Sequence, residues 1–135
     1  MAISNCKKVI IGKGSNARNV EWNSLRKAIN DRMAVLKINE DKMIGPYFFN
    51  NKLFDAAGNI INNRFILAFV NKLLMYLYDD AAKLVREKLF ADDVDATRFS
   101  NICDAFEEKG IFAFHSSIVD QVLSLETLDN LDGRD

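Results

Sequence analysis

Between Trp22 and Leu36 the apolar side chains recur at steps of three and four, as Trp22, Leu25, Ile29, Met33 and Leu36, while Arg26, Lys27, Asn30 and Asp31 fill the opposite side. That period predicts an amphipathic helix, with Asn19 as its expected N-cap. After Lys37 the period fails, and Gly45-Pro46 imposes an extended or turning backbone within the aromatic stretch Tyr47-Phe48-Phe49. A second turn signal, Asp55-Ala56-Ala57-Gly58-Asn59, makes residues 38–60 a long, structured connection. Helical spacing then resumes behind Asn62 or Asn63, either of which suits a cap, through Phe65, Ile66, Phe69, Val70, Leu73, Leu74 and Leu77. No glycine or proline interrupts the onward phase through Ala81, Leu84, Val85 and Leu89. The expectation is one continuous or gently kinked helix of about 28 residues, roughly 42 Å long at 1.5 Å per residue; two helices broken at Asp79-Asp80 are the alternative.

Asp92, Asp93 and Asp95 supply a loop and a cap for a third helix bearing Phe99, Ile102 and Phe106, which Gly110 should terminate. Ile111-Phe112-Ala113-Phe114 reads as a short strand or a buried turn, and Ser117 with Asp120 as a capping box for a last helix through Ile118, Val122 and Leu125. Lys8-Val9-Ile10-Ile11 has strand character, but no strand–helix alternation follows. The predicted fold class is therefore mainly α: a single helical bundle of four to five helices with one long central helix and at most a short two-stranded element. Residues 1–20 are expected as a linker or short strand plus turn, 21–128 as the helical domain, and 129–135 as a frayed tail.

Composition adds limits. The 135 residues fit one domain able to bury roughly 68% of the unfolded chain's surface. Apolar residues at 49% and charged residues at 27% argue against disorder. With 18 basic and 19 acidic side chains the formal charge is −1, so no global field draws the chain to nucleic acid or anionic membranes, and direct nucleic-acid binding is not expected. Cys6 and Cys103, far apart and without CxxC spacing, read as reduced thiols of a cytoplasmic protein. No signal-peptide core or membrane-spanning stretch is evident.

Each candidate for chemistry competes with a plainer explanation. Gly12-Lys13-Gly14-Ser15-Asn16-Ala17 matches a G-x-G-x-x-A fingerprint after a possible strand, but the motif needs a βαβ unit that residues 22–37 do not lead into. A Walker A loop fails, because Lys7 stands where its first glycine belongs and Gly14 follows Lys13 where Ser or Thr is needed. His115, beside Ser116 and Ser117, reads better as a capping or packing residue than as half of a nucleophilic pair. Asp79, Asp80, Asp92, Asp93 and Asp95 lack the EF-hand pattern and suit solvated turns and caps, so no metal site is expected. Tyr47, Phe48, Phe49, Tyr76 and Tyr78 have few basic neighbours for base stacking, only Lys42, Lys52 and Lys72, and core packing explains them better. Lys7, Lys8, Lys13, Arg18, Arg26 and Lys27 are the only candidate basic patch.

Taken together, Ile29-Asn30-Asp31-Arg32, the loop Ile38-Asn39-Glu40-Asp41-Lys42-Met43-Ile44-Gly45-Pro46-Tyr47-Phe48 and the segment Asn71-Lys72-Leu73-Leu74-Met75-Tyr76-Leu77 resemble the C-terminal helical lid of McrB-like AAA+ NTPases. The resemblance covers about residues 21–115 and is most specific at Glu40 to Phe48. It implies a non-catalytic lid subdomain of a restriction or defence system that contributes nucleotide-state sensing and subunit contacts. Arg32, Lys42, Gly45 and Pro46 are then the expected nucleotide-facing positions, with a surface salt bridge from Arg32 to a nearby acid such as Asp31 or Glu40 as the alternative. No cofactor is implied for the chain itself; ATP or GTP with Mg²⁺ would belong to a parent protein whose Walker and arginine-finger elements lie elsewhere. The implied partners are the AAA+ core, neighbouring subunits and a nuclease subunit. The alternative is a freestanding adaptor that binds a protein partner through Tyr47, Phe48 and Phe49. Met1, about twenty residues ahead of the match, suggests either an excised domain or a gene holding the lid alone.

Overall fold

A computed structural model of the chain describes residues 8–49, 51–57 and 60–132, giving the backbone alone for residues 51 and 125–132. Cys6, Lys7, the Gly58-Asn59 turn signal and the tail from 133 onward lie outside the described residues. Strand β1 (Lys8–Ile11) pairs antiparallel with β2 (Arg18–Glu21), Lys8 opposite Glu21 and Ile11 opposite Arg18. Gly12 and Gly14, both at positive φ, turn the hairpin, and their neighbourhood is therefore not the start of a βαβ unit. Val9, Ile11 and Val20 point into the main core, which makes the hairpin an integral part of the body; the boundary expected between residues 20 and 21 falls inside β2.

Helix α1 (Trp22–Val35) buries Trp22, Leu25, Ala28, Ile29 and Met33, the stripe that the sequence period predicts. Its N-cap is Glu21, not Asn19, because Asn19 pairs with Ile10 in the hairpin. The helix ends in a Schellman motif: the Ile38 N–H reaches the Met33 carbonyl at 3.0 Å and the Lys37 N–H the Ala34 carbonyl at 3.0 Å. Lys37 takes the left-handed position at φ 66, which usually falls to glycine.

The central helical run differs from the single 28-residue helix expected. It comprises α2 (Asn62–Ala68), a π-helical stretch Phe69–Leu74 and a second one Leu77–Ala81. Phe65, Phe69, Leu73, Leu77 and Ala81 are buried at a strict spacing of four. In a pure α-helix that row would drift by ~40° per step, since 3.6 residues complete a turn. The wider π turns rotate the other way and hold the row against the core. The run stops after Ala81, neither continuing to Leu89 nor breaking at the aspartates. Ala82 leaves helical geometry at φ −109 and ψ 21, and Arg86 donates through Nε to the Tyr78 carbonyl at 2.7 Å while its guanidinium lies 3.6 Å from the Tyr78 ring centroid. That side chain satisfies a carbonyl the helix end leaves open. Leu84, an expected core residue, is 91% exposed on the turn. Asn62 is the first helical residue and does not cap; its amide bridges β1, accepting from the Ile10 N–H at 2.7 Å and donating to the Ile10 carbonyl at 3.2 Å.

A single turn, α3 (Arg86–Leu89), leads to α4 (Phe99–Lys109), capped by Arg98; Asp95 instead closes a turn onto the Thr97 N–H and hydroxyl, and Asp93 pairs with Lys109. Gly110 ends α4 as expected, Gly110–Ala113 forms a 3₁₀ turn, and α5 (Ser116–Asp132) returns along α1. The helix thus runs beyond the expected boundary at residue 128. His115 caps α5: its Nδ1 accepts the Ser117 N–H at 3.1 Å, displacing the expected Ser117–Asp120 box. At the centre Phe69 stacks on Phe106 at 4.7 Å and meets Trp22 and Phe114 edge-on, pairs worth ~0.5–1.5 kcal/mol each beyond area burial. The fold is mainly α with one short hairpin.

Candidate functional site

The loop from Ile38 to Phe49 is held from below by polar side chains of α1 and of the π-helical run. Asn30 brackets the Ile44 peptide: its Oδ1 accepts the Ile44 N–H at 2.8 Å and its Nδ2 donates to the Ile44 carbonyl at 2.9 Å. Arg26 adds Nη1 to the same carbonyl at 3.1 Å. The Ile44 side chain is buried below this clamp. From the other side Tyr76 donates its hydroxyl to the Lys42 carbonyl at 2.7 Å, and its ring packs 5.7 Å from that of Phe48. The three segments singled out in sequence therefore meet at one corner of the molecule.

At that corner the predicted residues separate into distinct roles. Arg32 donates through Nε to the Lys88 carbonyl at 2.9 Å, tying α3 to α1; the salt bridge to Asp31 or Glu40 is not formed. Asp31 instead accepts from Lys27 and from Gln121 of α5, at 3.2 and 2.9 Å. Lys42 pairs with Asp80 at 2.8 Å, and that carboxylate, by hydrogen bond and by charge, holds the ammonium above its ordinary range. Burial, reinforced by Asp80, pushes the Tyr76 hydroxyl up. Gly45 and Pro46 are exposed, and beyond the adjoining residues no described atom lies within 4 Å of where a Gly45 side chain would start. The aromatic triplet divides: Phe49 is buried among Trp22, Phe65 and Phe69, Phe48 is half-buried, and Tyr47 is 91% exposed. Only Tyr47 of the three presents its whole ring to solvent.

Elsewhere three more of the basic candidates, Lys13, Lys27 and Arg18, are tied into the fold. Lys13 pairs with Glu107, Lys27 with Asp31, and Arg18 donates to the Ser15 and Ala17 carbonyls. Among the described residues no group of three or more His, Cys, Asp or Glu side chains converges as a metal would require. No helix of the described residues is long and apolar enough to cross a membrane. Cys103 is partly exposed, its thiol pushed up by burial and then by Asp104.

The Asp31 link between α1 and α5 has a pH signature. The Gln121 hydrogen bond, helped by Lys27, holds the Asp31 carboxyl below its ordinary range. A depressed folded value means stability that is complete above the usual carboxylate pKa of about 4 and lost as pH falls through the lower folded one. Asp31→Asn is therefore expected to flatten the acid limb of thermal stability between about pH 5 and pH 2. Identical acid limbs for variant and wild type would exclude this link.

No family model matches the chain, and no solved structure matches it. Over 114 residues, 84% of its length, the chain is 31% identical to the Type II restriction enzyme BsuMI component YdiS of Bacillus subtilis (strain 168). It spans 29% of the length of that protein. The chain is thus related to a restriction-system component.

Proposed function

We propose that this chain is a non-catalytic helical module of a restriction-system component, lid-like in the manner of the McrB-like AAA+ NTPases, which docks on a larger nucleotide-hydrolysing body through the tip Gly45-Pro46-Tyr47. The observation that carries the reading is the clamped loop: a fully exposed tyrosine on a backbone fixed by Asn30, Arg26 and Tyr76. A rigid, exposed aromatic loses little entropy on binding and is the residue type that dominates interface energies. The relation to a restriction enzyme component, of whose length the chain spans 29%, supports a role as part of a larger assembly.

Arg32 and Lys42 act in this reading as positioning residues, since both side chains are engaged within the fold. Glu40 and Asp41 in the turn around Lys42, with Asp80 against it, disfavour the approach of a polyphosphate and favour a protein surface. ATP or GTP with Mg²⁺ is bound by the body, and neighbouring subunits or a nuclease subunit meet the module there. A freestanding adaptor would use the same tip, and the two differ in whether the captured partner is an NTPase.

Two measurements test the proposal. Calorimetry of ATP or GTP with Mg²⁺ against the chain is expected to show no binding, and micromolar affinity would overturn the non-catalytic assignment. In a plasmid-transformation assay in the host, Tyr47→Ala is expected to weaken restriction at least tenfold, the effect of about 1.4 kcal/mol at an interface. The purified variant should melt within about 2 °C of wild type, as exposed substitutions do. Undiminished restriction in that variant removes the tip from the interface.

A further inference from the structure

The turn that follows the central helical run carries an arginine pinned at two points. Arg86, the first residue of α3, donates Nε to the Tyr78 carbonyl at 2.7 Å and lays its guanidinium 3.6 Å from the centroid of the Tyr78 ring. That ring is itself fixed: its hydroxyl donates to the Thr97 carbonyl at 3.0 Å, and the Phe99 ring at the start of α4 packs on it at 5.4 Å. Capping the helical run uses Nε alone. Among the described residues the two Nη groups have no hydrogen-bond or ion-pair partner. The backbone beside them is equally held. The Ala82 N–H reaches the Leu77 carbonyl at 2.8 Å and the Val85 N–H the Ala82 carbonyl at 2.9 Å, so Lys83 and Leu84 form the corner of a closed turn anchored by the buried Ala82 and Leu89.

The charge around this fork is positive. On the turn and α3, Lys83, Arg86 and Lys88 meet one acid, Glu87, and the Arg32 guanidinium on the Lys88 carbonyl adds to the same sign. On the segments that touch Arg86 and Tyr78, Asp80 is paired with Lys42 and Asp95 lies in the field of Arg98, which leaves Asp79. Cations therefore prevail here on a chain whose formal charge is −1. An arginine presents parallel N–H donors that match the two oxygens of a carboxylate. One stacked on a ring in advance loses little freedom when it binds, and arginine is enriched among the residues that dominate protein interfaces. A lone exposed leucine is ordinary, but Leu84 stands 91% exposed two residues from that fork, and an apolar neighbour suits a protein surface better than a hydrated phosphate.

We infer that the turn Ala82–Arg86 is a second docking point for a protein partner, at which Arg86 takes an aspartate or glutamate carboxylate of that partner across its two Nη groups and Leu84 packs on an apolar residue beside it. None of its residues belongs to the loop tip, so Tyr47→Ala should leave it intact.

The test is a ¹H–¹⁵N NMR titration of the full chain at low salt that follows the Arg86 Nε–H signal and the Leu84 amide. The probes are N-acetyl-leucyl-glutamate amide, its glutamine and glycyl-glutamate counterparts, and inorganic phosphate. The leucyl-glutamate probe is expected to shift both signals saturably. The glutamine probe should bind about fivefold more weakly, the factor that ~1 kcal/mol of an ion pair at an open site gives. Arg86→Lys keeps the charge and loses the fork, so it should weaken the leucyl-glutamate probe by a similar factor; if loss of the Nε cap unfolds that variant, the glutamate–glutamine comparison decides. Leu84→Ser, at an exposed corner, should melt with wild type and bind the leucyl and glycyl probes equally. Absence of saturable shifts, equal binding of the glutamine probe, unchanged affinity in a folded Arg86→Lys variant, or a Leu84→Ser variant that still prefers the leucyl probe overturns the proposal. Inorganic phosphate binding at the Arg86 signal more tightly than the leucyl-glutamate probe assigns the fork to a phosphate ligand and overturns docking of a protein there.

Discussion

Replacing Gly110 by alanine is expected to cost roughly 3 kcal/mol or more, lowering the melting temperature by about 10 °C for a chain of this size. Two effects add. Gly110 sits at φ 61 and ψ −127, a conformation that side-chain-bearing residues avoid. A Cβ there would also stand 2.8 Å from the Gly12 Cα and N and 2.9 Å from the Ile11 carbonyl carbon, all of them backbone atoms. The hairpin would have to lift from the end of α4, uncovering Val9, Ile11 and Val20. Gly14 and Gly45 supply the comparison. Gly14 has positive φ but open space, so Gly14→Ala should cost only ~1–2 kcal/mol. Gly45 has neither strain nor neighbours, so Gly45→Ala should be close to neutral. Thermal and denaturant melts of the three variants give the ranking, and a Gly110→Ala protein as stable as Gly45→Ala would show that the two backbones are not in contact.

How far the fold was legible depended on whether a residue had one structural use or several. Trp22, Leu25, Ile29 and Met33 can be buried together only on a helix, and α1 follows from their spacing. Strand β2 was not legible, because Arg18-Asn19-Val20-Glu21 has one buried apolar residue and no alternation to detect. Asparagines misled for a related reason: Asn19 and Asn62 look like caps, yet one pairs across the hairpin and the other bonds to the Ile10 backbone, choices made by neighbours distant in sequence. The break at Ala82 has no glycine or proline to announce it and depends on Arg86 reaching back to the Tyr78 carbonyl. The row of four-spaced residues from Phe65 to Ala81 was visible, but its conversion to π turns is a response to packing. At the candidate site, the segments around Asn30, Lys42 and Tyr76 were recognisable as related. That Phe49 would enter the core while Tyr47 stayed outside could not be read from three consecutive aromatics.

The clamp at Ile44 gives the second large effect. Asn30→Leu removes the acceptor for a buried N–H and one of two donors to its carbonyl. An unsatisfied buried amide costs ~1–3 kcal/mol, and if the loop lifts to hydrate it, the Ile44 side chain forfeits ~1.5–3 kcal/mol of burial instead. Either route destabilises by about 2–3 kcal/mol, with a melting temperature roughly 8–10 °C below wild type. The two routes are distinguished by native-state hydrogen exchange, since lifting exposes the Ile44 amide while those around Phe69 keep their relative protection. Asn30→Asp retains the acceptor and loses the donor, so it should fall between Asn30→Leu and wild type. Because the clamp presents Tyr47, Asn30→Leu should weaken restriction in the host below the permissive melting temperature, as Tyr47→Ala does. An Asn30→Leu protein with wild-type stability and an unchanged Ile44 exchange rate would mean that the loop is held by its aromatic side chains alone, and the polar clamp would lose its role in positioning the tip.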